Sequence, residues 1–453
     1  MQDSQYRIWY LFLTQVIVIA GILHWFGKFE PTSQIDTSSY RAYSFESVPD
    51  ALNDKRTFVY PCVLRWFQAM DGSDRLIPWF QYIMSAVAVG VFMGSLLRCN
   101  WNPWLSFAAA SPILASPMVL EYSGVLIPDL LAQSFAIVVV ACWLVMVHTG
   151  FNHWACIGLI LALFFSYQTK PAYLFLLVLV PIGGGVARWW LHAKNKDAWR
   201  VAIRLMAASM LPFCAWCTLR WFVVGHFGLV AFGGYNIVGI AGQLLQRDWL
   251  GQLSGEVQPL AETILDQRDS RPDWKTETSY ENVEHQFNSM VWEIAAPAAS
   301  KLYDADSRTM NRQMARLSTE IIRAQPLSYF RWVAMATKRA IRESIDLTLR
   351  NPILMLSIPF TLLAFAIGWR QHRDGTTVCV EMKFEREFQT IIWLALGYAL
   401  CKLGLVILVE PPIARYCAPA TIFLPSIFVM MACLILLRLR KISEACDKLE
   451  YRR

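Results

Sequence analysis

The chain has 453 residues, of which 56% are hydrophobic and 17% are charged. An average soluble domain carries roughly 25% charged residues, and here the apolar residues form blocks of about 20, the length of a helix that crosses a bilayer. The composition therefore excludes an ordinary soluble globular protein. The net charge of +7 does not indicate nucleic acid binding, because much of the basic excess flanks the apolar blocks, where it sets topology.

The apolar blocks predict an all-α polytopic membrane protein with about ten transmembrane helices. The first block, residues 8–27, is longer than a typical signal-peptide core and lacks an A-x-A cleavage site, so we expect an uncleaved anchor. A polar loop, 28–75, follows, in which residues 60–70 are predicted to form an amphipathic helix along the membrane interface. The nine later blocks cover residues 76–97, 102–120, 125–147, 153–168, 172–191, 201–224, 351–369, 388–409 and 417–437.

These blocks divide the chain into four predicted regions. Residues 1–225 form the N-terminal part of a membrane domain, and residues 350–437 add its last three helices. Residues 226–349 are predicted to be a helical insertion outside the membrane, between helices 7 and 8, and residues 438–453 to be a basic tail. Two apolar stripes with helical spacing support the insertion's helices, one on each side of the helix-breaking Pro326: Met314, Leu317 and Ile321, then Tyr329, Val333, Ala336 and Ala340.

An even number of crossings places both termini on the same side of the membrane. Most Lys and Arg of the short loops lie on that side, which the positive-inside rule assigns to the cytoplasm. The opposite loops carry Asp36, Glu121, Asp129, Lys170 and Arg415. We therefore expect an integral protein of a plasma or inner membrane, with these residues and the insertion on the extracytoplasmic side.

Neither the cysteines nor a DxD sequence favours a metal or redox centre. Cys214 and Cys217 form a CxxC inside a predicted membrane helix, whereas redox motifs of this kind lie at a helix N-terminus. His226 stands alone beyond the end of that helix, which argues against zinc. Asp304 and Asp306 lack the surrounding strand–helix pattern, so a solvated loop is favoured. We predict no cofactor, and the need for a divalent metal stays open.

The stretch 121–129 is the most informative, because it places two carboxylates between apolar blocks. A carboxylate at a bilayer boundary is costly to desolvate, so its usual reason is function or contact with water. The loops around Asp36 and Arg415 would form one polar site with Asp129 if all three lie on the same side. Structural alternatives stay open: a loop acid for Asp36, a helix cap for Asp129, an interfacial anchor for Arg415 and a solvated residue for Glu121.

Short motifs in these loops resemble those of the GT-C membrane glycosyltransferases, which include the protein O-mannosyltransferases and the aminoarabinose transferase of lipid A. Residues 35–40 resemble the family's Asp-plus-Tyr motif of the first external loop, and 56–61 the segment before its second helix. Residues 122–131 resemble its second acidic motif, and 169–171 and 410–416 its later donor-side motifs. The chain departs from the family where Thr37, not a second acid, follows Asp36, and where the extra domain precedes the last three helices.

The resemblance implies an inverting transferase that moves a sugar from a polyprenyl-phosphate donor to an extracytoplasmic lipid, glycan or protein acceptor. Such a reaction needs a base for the acceptor hydroxyl or amine and cations for the phosphate leaving group. We predict that Asp36 is the general base and that Asp129 is the second catalytic acid, which positions the acceptor or helps to hold the site. The predicted donor-binding residues are Lys170, Arg415, Tyr416, Lys402, Tyr40 and Arg56.

Two other classes of function stay open. A transporter or flippase would also have cationic side chains within its membrane helices, but it should contain inverted repeats or broken helices in matching halves. The sequence shows no such symmetry. A lipid-linked glycan polymerase or ligase is a nearer alternative, because it shares a large external loop late in the chain. The sequence does not identify the sugar or the acceptor.

Overall fold

The computed structural model describes residues 2–192, 195–275, 279–304, 306–373 and 386–450, and every regular element in these ranges is a helix. The loop 374–385 and the last three residues of the predicted basic tail lie outside the described residues. The N-terminal helices are α1 (Gln2–Trp25), α2 (Ile35–Arg41), α3 (Val48–Asn53), α4 (Val59–Asp71), α5 (Leu76–Arg98), α6 (Pro103–Leu114), α7 (Pro117–Tyr122), α8 (Asp129–Thr149), α9 (His153–Thr169), α10 (Leu176–His192) and α11 (Asn195–Val224).

Six helices then form most of residues 226–349, here called the 226–349 segment, and four more complete the described chain. The former are α12 (Gly233–Leu244), α13 (Gln258–Asp269), α14 (Tyr280–Ser289), α15 (Ala296–Leu302), α16 (Ser307–Ala324) and α17 (Pro326–Leu349). The latter are α18 (Pro352–Arg373), α19 (Arg386–Val409), α20 (Ala414–Cys417) and α21 (Leu424–Glu450). Short 3₁₀ turns at Pro171–Tyr173 and Arg247–Gln252 and a π-helical turn at Met290–Ala295 join some of them.

Among the described residues, seven helical stretches, one of which includes both α6 and α7, are long and apolar enough to cross a membrane, so this is a membrane protein. They are Asp3–Trp25, Leu76–Arg98, Pro103–Tyr122, Asp129–Thr149, Pro171–Leu191, Lys196–Val224 and Phe388–Val409. Three shorter apolar helices coincide with the other predicted spans: His153–Thr169, Pro352–Leu363 and Leu424–Leu437. The count of ten crossings and the side on which the termini lie therefore stay predictions.

Proline corrects the predicted bounds of the third and fourth spans. Residues 102–120 were expected to be one helix, but α6 ends at Leu114 and α7 begins at Pro117. Ser116 between them is extended, because the residue before a proline avoids the helical region. The fourth helix begins at Asp129 rather than near residue 125, directly after Pro128.

The predicted amphipathic helix over residues 60–70 and the two apolar stripes are confirmed, and the position of that helix along the membrane interface stays a prediction. Helix α4 buries Tyr60, Leu64 and Phe67 and leaves Trp66 and Met70 exposed. In α16 the predicted stripe forms part of a hydrophobic core within the 226–349 segment. In α17 the second stripe packs beside Trp332, and two of its four residues are fully buried while the other two are partly buried. The α16 stripe is Met314, Leu317 and Ile321, and the α17 stripe is Ala336 and Ala340 with the partly buried Tyr329 and Val333.

The 226–349 segment contacts the membrane helices at the C-terminal end of α19. The indole Nε1 of Trp332 donates to the carbonyl of Ile407 at 3.1 Å, and the Tyr329 hydroxyl donates to the carbonyl of Leu408 at 2.7 Å. These carbonyls have no partner within their own helix, because the last four carbonyls of any helix are left free. Helix α17 thus donates hydrogen bonds to two free carbonyls at the end of α19 and holds the 226–349 segment against that end.

Candidate active site

A proline break lies beside three of the charged residues predicted for the site. Pro128 precedes Asp129, the first residue of α8. Pro171 holds Lys170 in an extended conformation and ends α9. Pro411 and Pro412 follow α19, and Arg415 lies in the short helix α20 after them. Each side chain therefore lies at the end of an apolar helix, where it can meet the others.

The first loop reaches this place because it is docked on the segment before α8. The backbone N–H of Thr32 donates to the carbonyl of Gly124 at 2.8 Å, and that of Leu126 donates to the carbonyl of Thr32 at 2.9 Å. The hydroxyl of Thr37 donates to the carbonyl of Leu126 at 2.9 Å. Gly124 is required for this approach, because a Cβ there would lie 2.3 Å from the carbonyl oxygen of Lys28.

Asp36 is held between two guanidinium groups. Its Oδ1 accepts from Nη2 of Arg56 and its Oδ2 accepts from Nη1 of Arg415, both at 2.9 Å. Burial alone would raise the pKa of the Asp36 carboxyl, but the charges of Arg56 and Arg415 outweigh burial and lower this pKa below its usual range. Asp36 is therefore an anion at any physiological pH.

Asp129 is fully buried and is paired with two cations. Its Oδ1 lies 2.5 Å from Nζ of Lys170, and its Oδ2 lies 3.2 Å from Nη2 of Arg415. The N-cap residue of α8 is Pro128, and the described hydrogen bonds of the Asp129 side chain go to Lys170 and Arg415, so the capping alternative does not describe Asp129. A buried carboxylate in this position needs such partners, since an unpaired one would cost several kcal/mol.

Arg415 joins the two acids, one with each end of its guanidinium group. The side chain is 15% exposed, so it does not extend into solvent as a free interfacial anchor would. Its Nε is buried and has no hydrogen-bond partner among the described residues. We call Asp36, Arg56, Asp129, Lys170 and Arg415 the paired cluster; all four of its carboxylate oxygens face a cation.

The other predicted donor-binding residues surround the paired cluster. Arg56 stacks over the ring of Tyr40 with a centroid distance of 4.6 Å, and the Tyr416 ring lies 5.2 Å from Nζ of Lys170. Lys402 is buried in α19, where its Nζ donates to the carbonyl of Ala172 at 2.9 Å and lies 4.5 Å from the centroid of Tyr173. It interacts electrostatically with the paired cluster without an ion pair to it.

Buried polar groups with no described partner lie around Asp129. Gln133, one helical turn along α8, is fully buried, and neither atom of its amide forms a hydrogen bond within the described residues. The hydroxyls of Tyr60 and Tyr173 are also buried and have no hydrogen-bond partner within the described residues. Both tyrosines interact electrostatically with Asp129. Such groups are costly unless something binds them.

Glu410 and Asn236 lie beside the cluster; the sequence places Glu410 within the donor-side motif 410–416 without a catalytic role of its own, and it predicts no role for Asn236. The Nδ2 of Asn236, in α12, donates to Oε1 of Glu410 at 2.6 Å. We call this pair the Asn236–Glu410 junction, because it joins the 226–349 segment to the end of α19. The only signal in the sequence was the acid just before Pro411 and Pro412; nothing in the sequence marks Asn236.

The weaker metal and redox candidates have structural explanations. Oδ2 of Asp306 accepts a hydrogen bond from the backbone of Thr309 at 3.2 Å and so caps α16. Cys214 and Cys217 are free thiols. Among the described residues, no group of three or more His, Cys, Asp or Glu is placed to hold a metal ion. Glu121, as the sequence suggested, is exposed, 3.8 Å from Arg350.

The site offers fixed cations, carboxylates and buried polar groups without a described partner, where α8 begins and where α9 and α19 end. Side chains at these helix ends contact one another, as a site on one side of the membrane would require. The cations suit a phosphate, and the carboxylates suit proton transfer. No family model, curated protein or solved structure matches the chain.

Proposed function

We propose that the protein is an integral membrane glycosyltransferase of the GT-C type. It moves a sugar from a polyprenyl-phosphate donor to an extracytoplasmic acceptor and inverts the configuration at the anomeric carbon. One observation carries the proposal: Arg415 and Lys170 meet two carboxylates where apolar helices end. This is where the phosphate of a lipid-linked donor would lie if its polyprenyl chain remained in the bilayer.

In the proposed reaction the cations bind the phosphate. Arg415 has a planar fork that suits two phosphate oxygens, and its Nε is still free to donate. Lys170 supplies a compact positive charge beside it. Both cations contact carboxylates in the structure, so a donor phosphate would compete with Asp36 and Asp129 for them. We assign supporting contacts with the donor to Tyr416, Lys402, Tyr40 and Arg56.

The sugar of the donor would use the buried polar groups around Asp129. Hydroxyl groups both donate and accept hydrogen bonds, so they are suitable partners for the Gln133 amide and the hydroxyls of Tyr60 and Tyr173. The reaction also needs a carboxylate that takes the acceptor's proton. The sequence-based candidate for this base is Asp36; the choice between Asp36 and another carboxylate is treated below.

The decisive experiment asks whether the purified protein releases a lipid phosphate from a lipid-phosphate sugar. Farnesyl-phosphoryl mannose, glucose and aminoarabinose serve as donors, with water as the minimal acceptor, and farnesyl phosphate is quantified by mass spectrometry. The Arg415→Ala variant is the negative control, and Arg350→Ala, at an exposed arginine, is the matched positive control. We expect release of farnesyl phosphate from one of these donors by the wild type and the Arg350 variant only. If none of the donors is turned over, the transporter or flippase interpretation takes precedence.

A further inference from the structure

The three carboxylates near Arg415 differ in what their oxygens contact. Each oxygen of Asp36 and of Asp129 faces the side-chain nitrogen of a cation. Oε1 of Glu410 faces only the Asn236 amide, and its Oε2 has no hydrogen-bond partner among the described residues. A carboxylate offers about four lone-pair sites, but a cation beside an oxygen lowers the affinity of that carboxylate for a proton. Among the described residues, Glu410 alone of the three carboxylates is paired with no cation and has an oxygen that accepts no hydrogen bond.

Glu410 is nevertheless part of the same electrostatic environment. Its carboxyl interacts with the charges of Lys170, Lys402, Arg415 and Asp129, and it is the main charge that acts on the Tyr416 hydroxyl. None of the cations lies within ion-pair distance of it in the described part of the chain. The residue is fixed in place at the end of α19, because its backbone N–H donates to the carbonyl of Val406 at 2.8 Å.

We infer that Glu410 accepts the proton of the acceptor hydroxyl or amine, while Asp36 and Asp129 hold the cations that bind the donor phosphate. The inference rests on the proposed function and names its base. The Asn236 amide orients one oxygen of Glu410 and leaves the other for the acceptor. The 226–349 segment thereby contributes to the chemistry, through Asn236.

The proposed transfer forms one bond and breaks one bond at the anomeric carbon. The acceptor's oxygen or nitrogen forms a bond to the anomeric carbon as its proton passes to Oε2 of Glu410. The bond between the anomeric carbon and the phosphate oxygen breaks, and its electron pair stays on that oxygen. Polyprenyl phosphate leaves with one more negative charge, beside Arg415 and Lys170. Glu410 then returns its proton to water.

The ionisation of the carboxyls supports this division of roles. Burial raises the pKa of Glu410 above the usual glutamate range, and the nearby cations offset burial only in part. The pKa of Asp36 is lowered by its two guanidinium partners. A base is most effective when its pKa approaches the working pH, so Glu410 is the stronger proton acceptor of the two.

The rival assignment keeps Asp36 as the base. It requires the donor phosphate to draw Arg415 away from Asp36, which would release an oxygen and let its pKa rise. The two assignments differ in which neutral substitution abolishes turnover. They can be compared with farnesyl-phosphoryl sugars and water, so the natural acceptor is not required.

The experiment compares Glu410→Gln with Asp36→Asn in the full-length protein. For Glu410→Gln we expect turnover to fall by about 10²-fold or more, with the donor dissociation constant within threefold of wild type. For Asp36→Asn we expect a loss of less than tenfold. Glu121→Gln, at an exposed glutamate outside the site, should match the wild type and controls for the substitution itself. Elution volume and unfolding temperature establish that each variant is folded.

A second variant, Asn236→Ala, gives a readout that a structural role would not produce. Loss of the amide removes a hydrogen bond to the ionised carboxylate, so the acidic limb of the kcat profile should move to higher pH. Near-normal turnover by Glu410→Gln together with a 10²-fold loss in Asp36→Asn would overturn the inference and leave the proposed function standing. If the wild type releases no farnesyl phosphate from any of the three donors, the proposed function fails, and the inference with it.

Discussion

The paired cluster and the Asn236–Glu410 junction lie side by side but treat their carboxylates in opposite ways. In the cluster, Asp36 and Asp129 are each held by two cations, and the pKa of Asp36 is lowered. At the junction, Glu410 has a neutral amide for a partner, and burial raises its pKa. Ion pairs fix the position of a carboxylate but lower its affinity for a proton. A carboxylate with a neutral partner keeps a higher proton affinity and an oxygen that can contact a substrate.

The largest expected effect comes from removing a charge in the cluster. Asp129→Asn leaves Lys170 and Arg415 near a buried neutral amide, and removal of one partner from a buried pair costs about 3–5 kcal/mol. We expect a loss of this size in the free energy of unfolding in detergent. Asp248→Asn, at an exposed acid, is the control. A loss below about 1 kcal/mol would mean that the cluster does not support the fold.

The next effect tests how the first loop reaches the cluster. Gly124→Ala places a Cβ within 2.3 Å of the Lys28 carbonyl oxygen and 2.7 Å of that of Glu30. Such crowding typically costs about 1–3 kcal/mol. We expect lower stability and weaker donor binding, because Asp36 moves away from Arg415. Gly21→Ala is the matched control, since nothing lies within 4 Å of its Cβ; equal effects at both glycines would contradict the docking described above.

A smaller expected effect distinguishes the contribution of the positive charge of Arg415 to donor binding from that of its planar guanidinium group. Arg415→Lys keeps the positive charge but cannot reach both acids or two phosphate oxygens with one planar group. We expect the donor dissociation constant to rise about tenfold, which corresponds to about 1.4 kcal/mol. Arg350→Lys serves as the control. The measurement is a titration with a non-hydrolysable farnesyl-phosphonate sugar, and unchanged affinity would assign the phosphate to Lys170 alone.

The smallest expected effect is on the pH dependence of stability that arises from Glu410. Because the pKa of Glu410 is raised on folding, the folded protein binds more protons than the unfolded chain between the ordinary glutamate pKa and the raised one. Stability should therefore fall as pH rises through that window, and the Glu410→Gln variant should lack this contribution. Unfolding midpoints of wild type and variant, measured at several pH values between about 4 and 8, should converge at low pH. Parallel curves would show that Glu410 has an ordinary pKa in the folded protein.

Local patterns in the sequence predicted where most helices lie, but they did not predict every helix boundary. The α16 stripe of Met314, Leu317 and Ile321 was readable because helical periodicity is a local property. The break at Ser116 was missed because the apolar run continues through Pro117, so composition alone resembled one span. Helix α9 has 17 residues, and the apolar parts of α18 and α21 are Pro352–Leu363 and Leu424–Leu437 in the described chain.

The sequence predicted which charged residues form the site, but it did not predict which of them contact one another. A carboxylate or cation beside an apolar block is visible in the sequence, which is why Asp36, Asp129, Lys170 and Arg415 were singled out. Which oxygen meets which nitrogen depends on contacts between residues far apart in the chain. Asn236 and Glu410 are 174 positions apart, and no local pattern connects an amide in α12 with an acid after α19.

The contact between Asp36 and Arg415 has a consequence for how the protein is made. The two residues are 379 positions apart, and at roughly 5–20 residues per second the intervening chain takes about 20–75 s to synthesise. During that interval the nascent chain carries first Asp36 and later Asp129 as well, but it lacks the Arg415 guanidinium that joins them. A ribosome that stops before α20 would therefore leave a product that inserts into the bilayer yet carries no complete site. The paired cluster is therefore complete only once α20 has been synthesised, and under the proposed function an unfinished chain would transfer no sugar.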